Sequence, residues 1–242
     1  LVPGALDVVV RTYVRDFRFL SLSLRALLMH VAGYRRIIVA MPGSSFERLR
    51  RDDIPGHAAI SVATGGEFKN DYVGQQITKL HADELTDAEY IALVDSDCVF
   101  HTRCDLRELM FARGRPIVRF LTKRRADPRD GWRRCVEDFF GQAAPFDAIT
   151  NTPVLFPRRL FAELRTECVA RHGVTLRDWA LARRADTLSE FNLLAALAWT
   201  KHRDEFVWRA VDDVSDWPFR QFWSRSPRRE EMLREAMSFL AR

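Results

Sequence analysis

One stretch constrains this chain more than any other: Tyr90-Ile91-Ala92-Leu93-Val94-Asp95-Ser96-Asp97-Cys98-Val99-Phe100. Its apolar run, bounded by polar residues and rich in β-formers, reads as a buried strand ending in two aspartates one residue apart. In an open α/β sheet, ligands sit beyond the carboxyl ends of the strands, where carboxylates can meet a ligand without being buried. Two hard oxygen donors on one short turn suit Mg²⁺ or Mn²⁺, above all an ion also held by substrate phosphates. The alternative is a pair of solvated turn residues, because Asp and Ser are common turn formers.

The preceding residues supply a sheet for that strand. Residues 6–12 (LDVVVRT) form a first strand, and a helix follows with Phe17, Leu20, Leu24, Leu27, Leu28 and Val31 on one face. Asp16 is its natural N-cap and Gly33 its end. A second strand at 36–41 is closed by Pro42-Gly43, Ser44 or Ser45 opens a short helix, and a third strand lies at 58–62. Three such units imply a parallel, doubly wound sheet. The pattern then predicts a helix over 70–85 with Val73, Gln76, Ile77 and Leu80 on one face, leading into the aspartate strand. Lys79 sits one turn on from Gln76, as a solvated helix charge or as a phosphate contact.

Beyond the aspartates the expected elements are a helix at 105–112, a strand at 116–120, a helix at 132–140 and a short apolar segment at 154–156. The basic stretch 121–131 (LTKRRADPRDG) reads as a solvated loop or a lid. Pro157 begins a helix bearing Leu160, Phe161 and Leu164. Thr187-Leu188-Ser189-Glu190 fits a capping box before a helix bearing Leu193, Leu194, Leu197 and Ala198. Glu190 is then either a cap or a carboxylate aimed at the sheet. A final strand at 206–211, the aromatic and basic segment PFRQFWS (218–224) and an amphipathic helix at 228–241 complete the chain.

Composition narrows the classes. With 242 residues, 47% hydrophobic and 29% charged, the chain can bury one substantial core and is not a disordered polypeptide. A net charge of +5 and a pI of about 9.3 suit an anionic ligand such as a nucleotide diphosphate, or a loose hold on an anionic membrane surface. No basic stripe interleaves with aromatics, so a nucleic-acid partner is not expected. Cys98, Cys104, Cys135 and Cys168 lack metal-site spacing and read as reduced cytosolic thiols. No apolar run approaches the ~20 residues of a membrane span, and the first ten residues lack the basic start of a signal peptide. The absent initiator Met points to a trimmed or partial chain. Neither the Gly-x-Gly-x-x-Gly fingerprint nor a Walker loop is present.

Four features, in order, make the chain resemble the GT-A-type, DxD-containing bacterial glycosyltransferases. They are Thr12-Tyr13 with Asp16, Gln75-Gln76 with Lys79-Leu80, Leu93-Val94-Asp95-Ser96-Asp97, and Ser189-Glu190-Phe191. The resemblance implies an α/β, GT-A-like (Rossmann-like) fold: a mostly parallel sheet flanked by helices, with a helix-rich C-terminal part. It implies one domain over 1–242, with a nucleotide- and metal-binding half (1–120) and an acceptor-side half (121–242). By the same resemblance Thr12, Tyr13 and Asp16 would line base and ribose, and Gln76 and Lys79 would touch the nucleotide. Asp97 would bind Mn²⁺ or Mg²⁺ directly, with Asp95 on ribose or metal-bound water, and Ser96 between them would also touch the nucleotide. Glu190 would be the catalytic base, or would position the sugar in a retaining enzyme. Arg220 and Trp223 are further diphosphate or sugar contacts. A late histidine ligand is common in that family; His202, the one histidine after Glu190, lies in a polar run that points to solvent.

The implied activity is metal-dependent transfer of a sugar from a nucleotide-diphosphate sugar, UDP-linked before GDP-linked, to a hydroxyl of a glycan or glycolipid. The implied location is the cytoplasm, with a peripheral hold on the inner face of the membrane. Three rivals stand beside it. A haloacid-dehalogenase-like phosphatase would use Asp95 as nucleophile, with Asp212, Asp213 and Asp216 as its late acidic group. A sugar nucleotidyltransferase would require a Gly-rich phosphate loop after the first strand. A module that binds a nucleotide sugar without turnover would keep the same residues.

Overall fold

The computed structural model describes residues 4–121, 131–143, 145–148, 152–184, 187–211, 217–224 and 226–240. Most of the basic stretch 121–131 and the three late aspartates lie outside the described residues. The chain opens with β1 (Leu6–Arg11) and α1 (Phe17–His30), followed by β2 (Ile37–Pro42), β3 (Ile60–Gly65), α2 (Asp71–Leu80) and β4 (Tyr90–Asp95). After these come β5 (Cys98–Phe100), β6 (Arg115–Phe120), α3 (Gly131–Phe140), β7 (Val154–Pro157), α4 (Arg159–His172) and α5 (Leu176–Leu181). The last elements are α6 (Glu190–Lys201), β8 (Val207–Ala210), β9 (Phe219–Gln221) and α7 (Arg229–Leu240).

The main sheet has strand order β7-β4-β1-β2-β3, with β4, β1, β2 and β3 parallel and β7 antiparallel on the edge. This is the mostly parallel, helix-flanked sheet expected from the βα pattern. β1 is buried along its whole length because helices cover both faces, which is why it reads as an unbroken apolar run instead of an alternating one. Val8 and Val10 face α1 and α7 in one core cluster, and Val9 faces α2, α4 and α6 in the other. α6 is buried around its circumference from Glu190 to Ala198, as a helix apolar on all sides must be. Each fully buried leucine on it (Leu193, Leu194, Leu197) contributes about 1.5–3 kcal/mol relative to exposure.

Several boundaries differ from the sequence reading. The helix expected over 70–85 ends at Leu80, and a 3-10 turn at Ala82–Glu84 follows. The third strand runs later, to Gly65, and only its start was legible because this edge strand is largely exposed. α1 ends at His30, before Gly33, which takes φ +86° in the turn that follows. Residues 219–221, read only as aromatic and basic, form β9, antiparallel to β5 with Gln221 opposite Cys98. That pairing brings the C-terminal part of the chain to the aspartates.

Candidate active site

Parallel pairing of β1 with β4 sets Arg11 beside Asp95 at the carboxyl ends of the two central strands. Asp95 leaves the sheet on the same face as Leu93, towards α2 and α6. There it meets Lys79, whose Nζ lies 2.5 Å from Asp95 Oδ1 and 2.9 Å from Glu190 Oε1. The lysine is almost wholly buried and also lies 4.8 Å from the centroid of the Phe191 ring. Burial would lower its pKa, yet the charges of Asp95 and Glu190 outweigh that and hold it above the ordinary lysine value. Lys79 is therefore not a solvated helix charge: it is a permanent cation joining two carboxylates.

Glu190 is the first residue of α6, and the cap is Ser189, whose Oγ accepts the Asn192 N–H at 3.2 Å. The capping-box reading of Thr187 with Glu190 is thus corrected: Glu190 engages Lys79 through Oε1, and Ser189 does the capping. The second oxygen of Asp95, Oδ2, accepts Gln221 Nε2–H at 2.7 Å. Thr152 closes the ring, its Oγ1 accepting Asp95 N–H at 3.1 Å while its own N–H donates to Gln221 Oε1 at 3.0 Å.

Asp97 is held from the other side. Its Oδ2 accepts Ser224 N–H at 3.0 Å and its carbonyl accepts Phe222 N–H at 2.8 Å. Burial, then the charge of Asp95, pushes the Asp97 carboxyl up to about 7, with Asp16 adding to the push and the Ser224 bond and Lys79 opposing it. Trp223, between the two residues that hold Asp97, is 63% exposed on the rim of this turn.

The other expected site residues divide. Thr12 and Tyr13 are buried at the end of β1, and Asp16 is buried between that strand and α1, close enough to act on Asp97 through charge. Asp16 occupies the N-cap position of α1 without a side-chain capping bond. Gln76 lies on the apolar face of α2 among Val73, Ile77 and Leu80, and no hydrogen bond ties it to the aspartates. Ser96 is buried in the turn between the two carboxylates. Arg220 turns away, pairing with Glu235 of α7 and lying over the Phe222 ring. His202 is held by Glu163 at 2.7 Å and Glu205 at 3.1 Å, in a charged surface group on α4 and α6. Gln221, Thr152 and the Ser224 backbone were not foreseen, since only strand pairing brings them to Asp95 and Asp97.

The donor set fits a divalent cation. Asp95 and Asp97 share one turn with Asp16 near enough to act on it through charge, and burial, ahead of the Asp95 and Asp16 charges, raises the Asp97 carboxyl. Among the described residues no group of three His, Cys, Asp or Glu could hold an ion by itself. An ion here would therefore take its remaining ligands from water and substrate oxygens, as Mg²⁺ and Mn²⁺ do at phosphate sites.

Known structures share the architecture. The chain is similar to the apo structure of WbbM, a bifunctional glycosyltransferase, at 14% identity and a TM-score of 0.52. That match covers 86% of this chain, which spans 40% of the length of the other. It is similar to a 2-C-methyl-D-erythritol 4-phosphate cytidylyltransferase from Thermus thermophilus at 15% identity and a TM-score of 0.55, covering 98% and 100% of the two chains. A 4-diphosphocytidyl-2C-methyl-D-erythritol synthase from Anaerococcus prevotii matches at 10% identity and a TM-score of 0.53, covering 98% and 96%. At these identities the likeness establishes the GT-A/nucleotidyltransferase type of fold. No curated protein matches the chain, and no helix among the described residues is long and apolar enough to cross a membrane. A family model matches residues 67–216, from the loop before α2 through the aspartates and Glu190, and the chain therefore belongs to that family, the family of unknown function DUF6492.

Proposed function

We propose that the protein is a metal-dependent glycosyltransferase that moves a sugar from a nucleotide-diphosphate sugar to a hydroxyl of a glycan or glycolipid acceptor. The observation that carries this reading is the Asp95–Asp97 turn at the end of β4, with one carboxylate tied to a buried lysine and the other held by the backbone N–H of Ser224. Asp97 would hold Mn²⁺ or Mg²⁺ directly and Asp95 would orient its water or the ribose. A divalent cation at such a site neutralises charge on a departing diphosphate. Lys79 fixes Asp95 and Glu190 relative to each other, so the donor and acceptor sides of the site are held by one cation. With Oε1 on Lys79, Glu190 would take the acceptor hydroxyl's proton on Oε2. Trp223 would offer its exposed face to a sugar ring.

Two rivals fit less well. Both oxygens of Asp95 already accept hydrogen bonds, which disfavours its attack on a phosphomonoester. The turn after β1, Thr12 to Asp16, has no glycine and passes at once into a 3-10 turn, whereas a backbone cradle for a triphosphate needs glycine's close approach. The test is release of nucleotide diphosphate from a panel of nucleotide sugars with a mixed glycan acceptor, with Mn²⁺ or with EDTA. Metal-dependent release supports the reading. Phosphate release from phosphomonoesters, or pyrophosphate release from a nucleoside triphosphate and a sugar phosphate, would replace it.

A further inference from the structure

β1 delivers to the strand ends a buried cation that makes no hydrogen bond to the acidic turn. Arg11 is the last residue of β1, the register partner of Asp95, and it leaves the sheet on the same face as Val9. Its side chain is 1% exposed. Nε, Nη1 and Nη2 neither reach solvent nor find a hydrogen-bond partner among the described residues. Asp71 Oδ1, in the first turn of α2, stands off at 3.9 Å from Nη2, and the Tyr13 ring centroid lies 5.9 Å from Cζ. Arg119, also deeply buried, is provided for: its Nη2 donates to Leu109 O at 2.5 Å and its Nη1 faces Met110 Sδ at 3.3 Å.

A guanidinium carries five N–H donors and no acceptor, and burying it with those donors unmet is destabilising. Burial alone pulls Arg11 down to about 10, against the opposing charges of Asp71, Tyr13, Asp16 and Glu67. Those same carboxylates decide what kind of partner fits. Asp71, Asp16 and Glu67 already bring negative charge near the guanidinium without accepting a hydrogen bond from it, so what it lacks is acceptors. A neutral edge rich in acceptors supplies them without adding a further charge beside those carboxylates. On a nucleotide that edge belongs to the base. Guanine offers two adjacent acceptors, O6 and N7, that match an arginine fork. Cytosine does likewise with O2 and N3. Uracil's two carbonyls flank an N–H and can be met only singly, and adenine sets an amino donor beside N7.

We infer that Arg11 is a base-reading residue, and that the donor nucleotide carries guanine or cytosine in preference to uracil or adenine. The inference rests on the nucleotide-sugar reading above and departs from the UDP-first expectation. The three nitrogens are covered, so binding includes a side-chain rearrangement, with Tyr13 and Asp71 the neighbours that flank the guanidinium.

The experiment is calorimetric titration of the parent, Arg11→Met and Arg11→Lys with GDP, CDP, UDP and ADP in Mn²⁺, beside thermal unfolding without nucleotide. The parent should bind GDP or CDP tightest. Arg11→Met should lose ~10–100-fold in that affinity, the worth of hydrogen bonds to a charged group, and should melt at or above the parent. Arg11→Lys keeps the charge without the fork, so its ranking of bases should flatten. UDP or ADP binding as well as GDP and CDP, or Arg11→Met binding like the parent, would overturn the inference alone. So would a markedly lower melting temperature in Arg11→Met, which would make Arg11 a structural partner of Asp71. Protection of the parent but not Arg11→Met by inorganic pyrophosphate without metal would make it an oxyanion contact instead. If no nucleotide binds the parent, the nucleotide-sugar reading fails, and this assignment with it.

Discussion

Replacing Lys79 with Met keeps most of the side-chain volume and removes one charge from a buried site. It leaves Glu190, whose side chain is 6% exposed, without its cation, and Asp95, 22% exposed, with only Gln221 and the Thr152 contact. Removing one partner of a buried pair costs about 3–5 kcal/mol, because the remaining charge stays desolvated and unpaired. Asp95 can recover some water, so most of the loss falls on Glu190. For a chain of this size 1 kcal/mol moves the melting temperature by about 2–4 °C, so a fall of roughly 6–20 °C is expected. Glu190→Gln in the same chain removes the stranded charge and should restore ~2 kcal/mol, read as a coupling energy from urea unfolding of the four variants. A Lys79→Met loss below about 1 kcal/mol, or no rescue by Glu190→Gln, would show that the lysine does not hold the site together.

Glu190→Gln alone should lower turnover by ~10²–10⁴-fold with little change in donor affinity, if Glu190 takes the acceptor proton; steady-state kinetics with the identified donor and acceptor would show near-parent turnover if it does not. Asp7 sits fully buried under Arg35 and Arg36, and although burial raises its pKa, bonds from Arg35, Thr86 and Arg36 bring it below the ordinary 3.8. A carboxyl lowered in the folded state stabilises above its unfolded pKa, and that contribution is lost as pH falls through the folded value. Asp7→Asn should therefore be less stable than the parent at neutral pH and flatten the acid limb of the stability curve below about pH 4, as read from urea midpoints; an unchanged acid limb would refute the linkage.

The three central strands, β1, β2 and β4, were legible because they are buried on both faces and so are written as plain apolar runs ending at turn residues. The 154–156 segment was recognised, but nothing local says that it pairs antiparallel to β4. Lys79 and Glu190 could be singled out by phase and type, yet their contact spans 111 positions and depends on how α6 packs against α2. Gln221 and Ser224 were hidden for the same reason, since a three-residue strand in an aromatic segment carries too little periodicity to declare itself. Arg11 was read only as part of the first strand, because burial of its guanidinium is a property of the assembled core and not of the residues around it in the chain.

Whether the acidic turn is a nucleotide–metal site is tested most directly by one pair of isotherms. Nucleotide diphosphate should bind the parent far more tightly with Mn²⁺ than with EDTA, and Asp97→Ala should bind it weakly and alike in both, while keeping the parent's melting temperature to within a few degrees. Asp97→Ala binding nucleotide diphosphate and Mn²⁺ as the parent does would contradict the assignment of the Asp95–Asp97 turn, and with it the proposed chemistry.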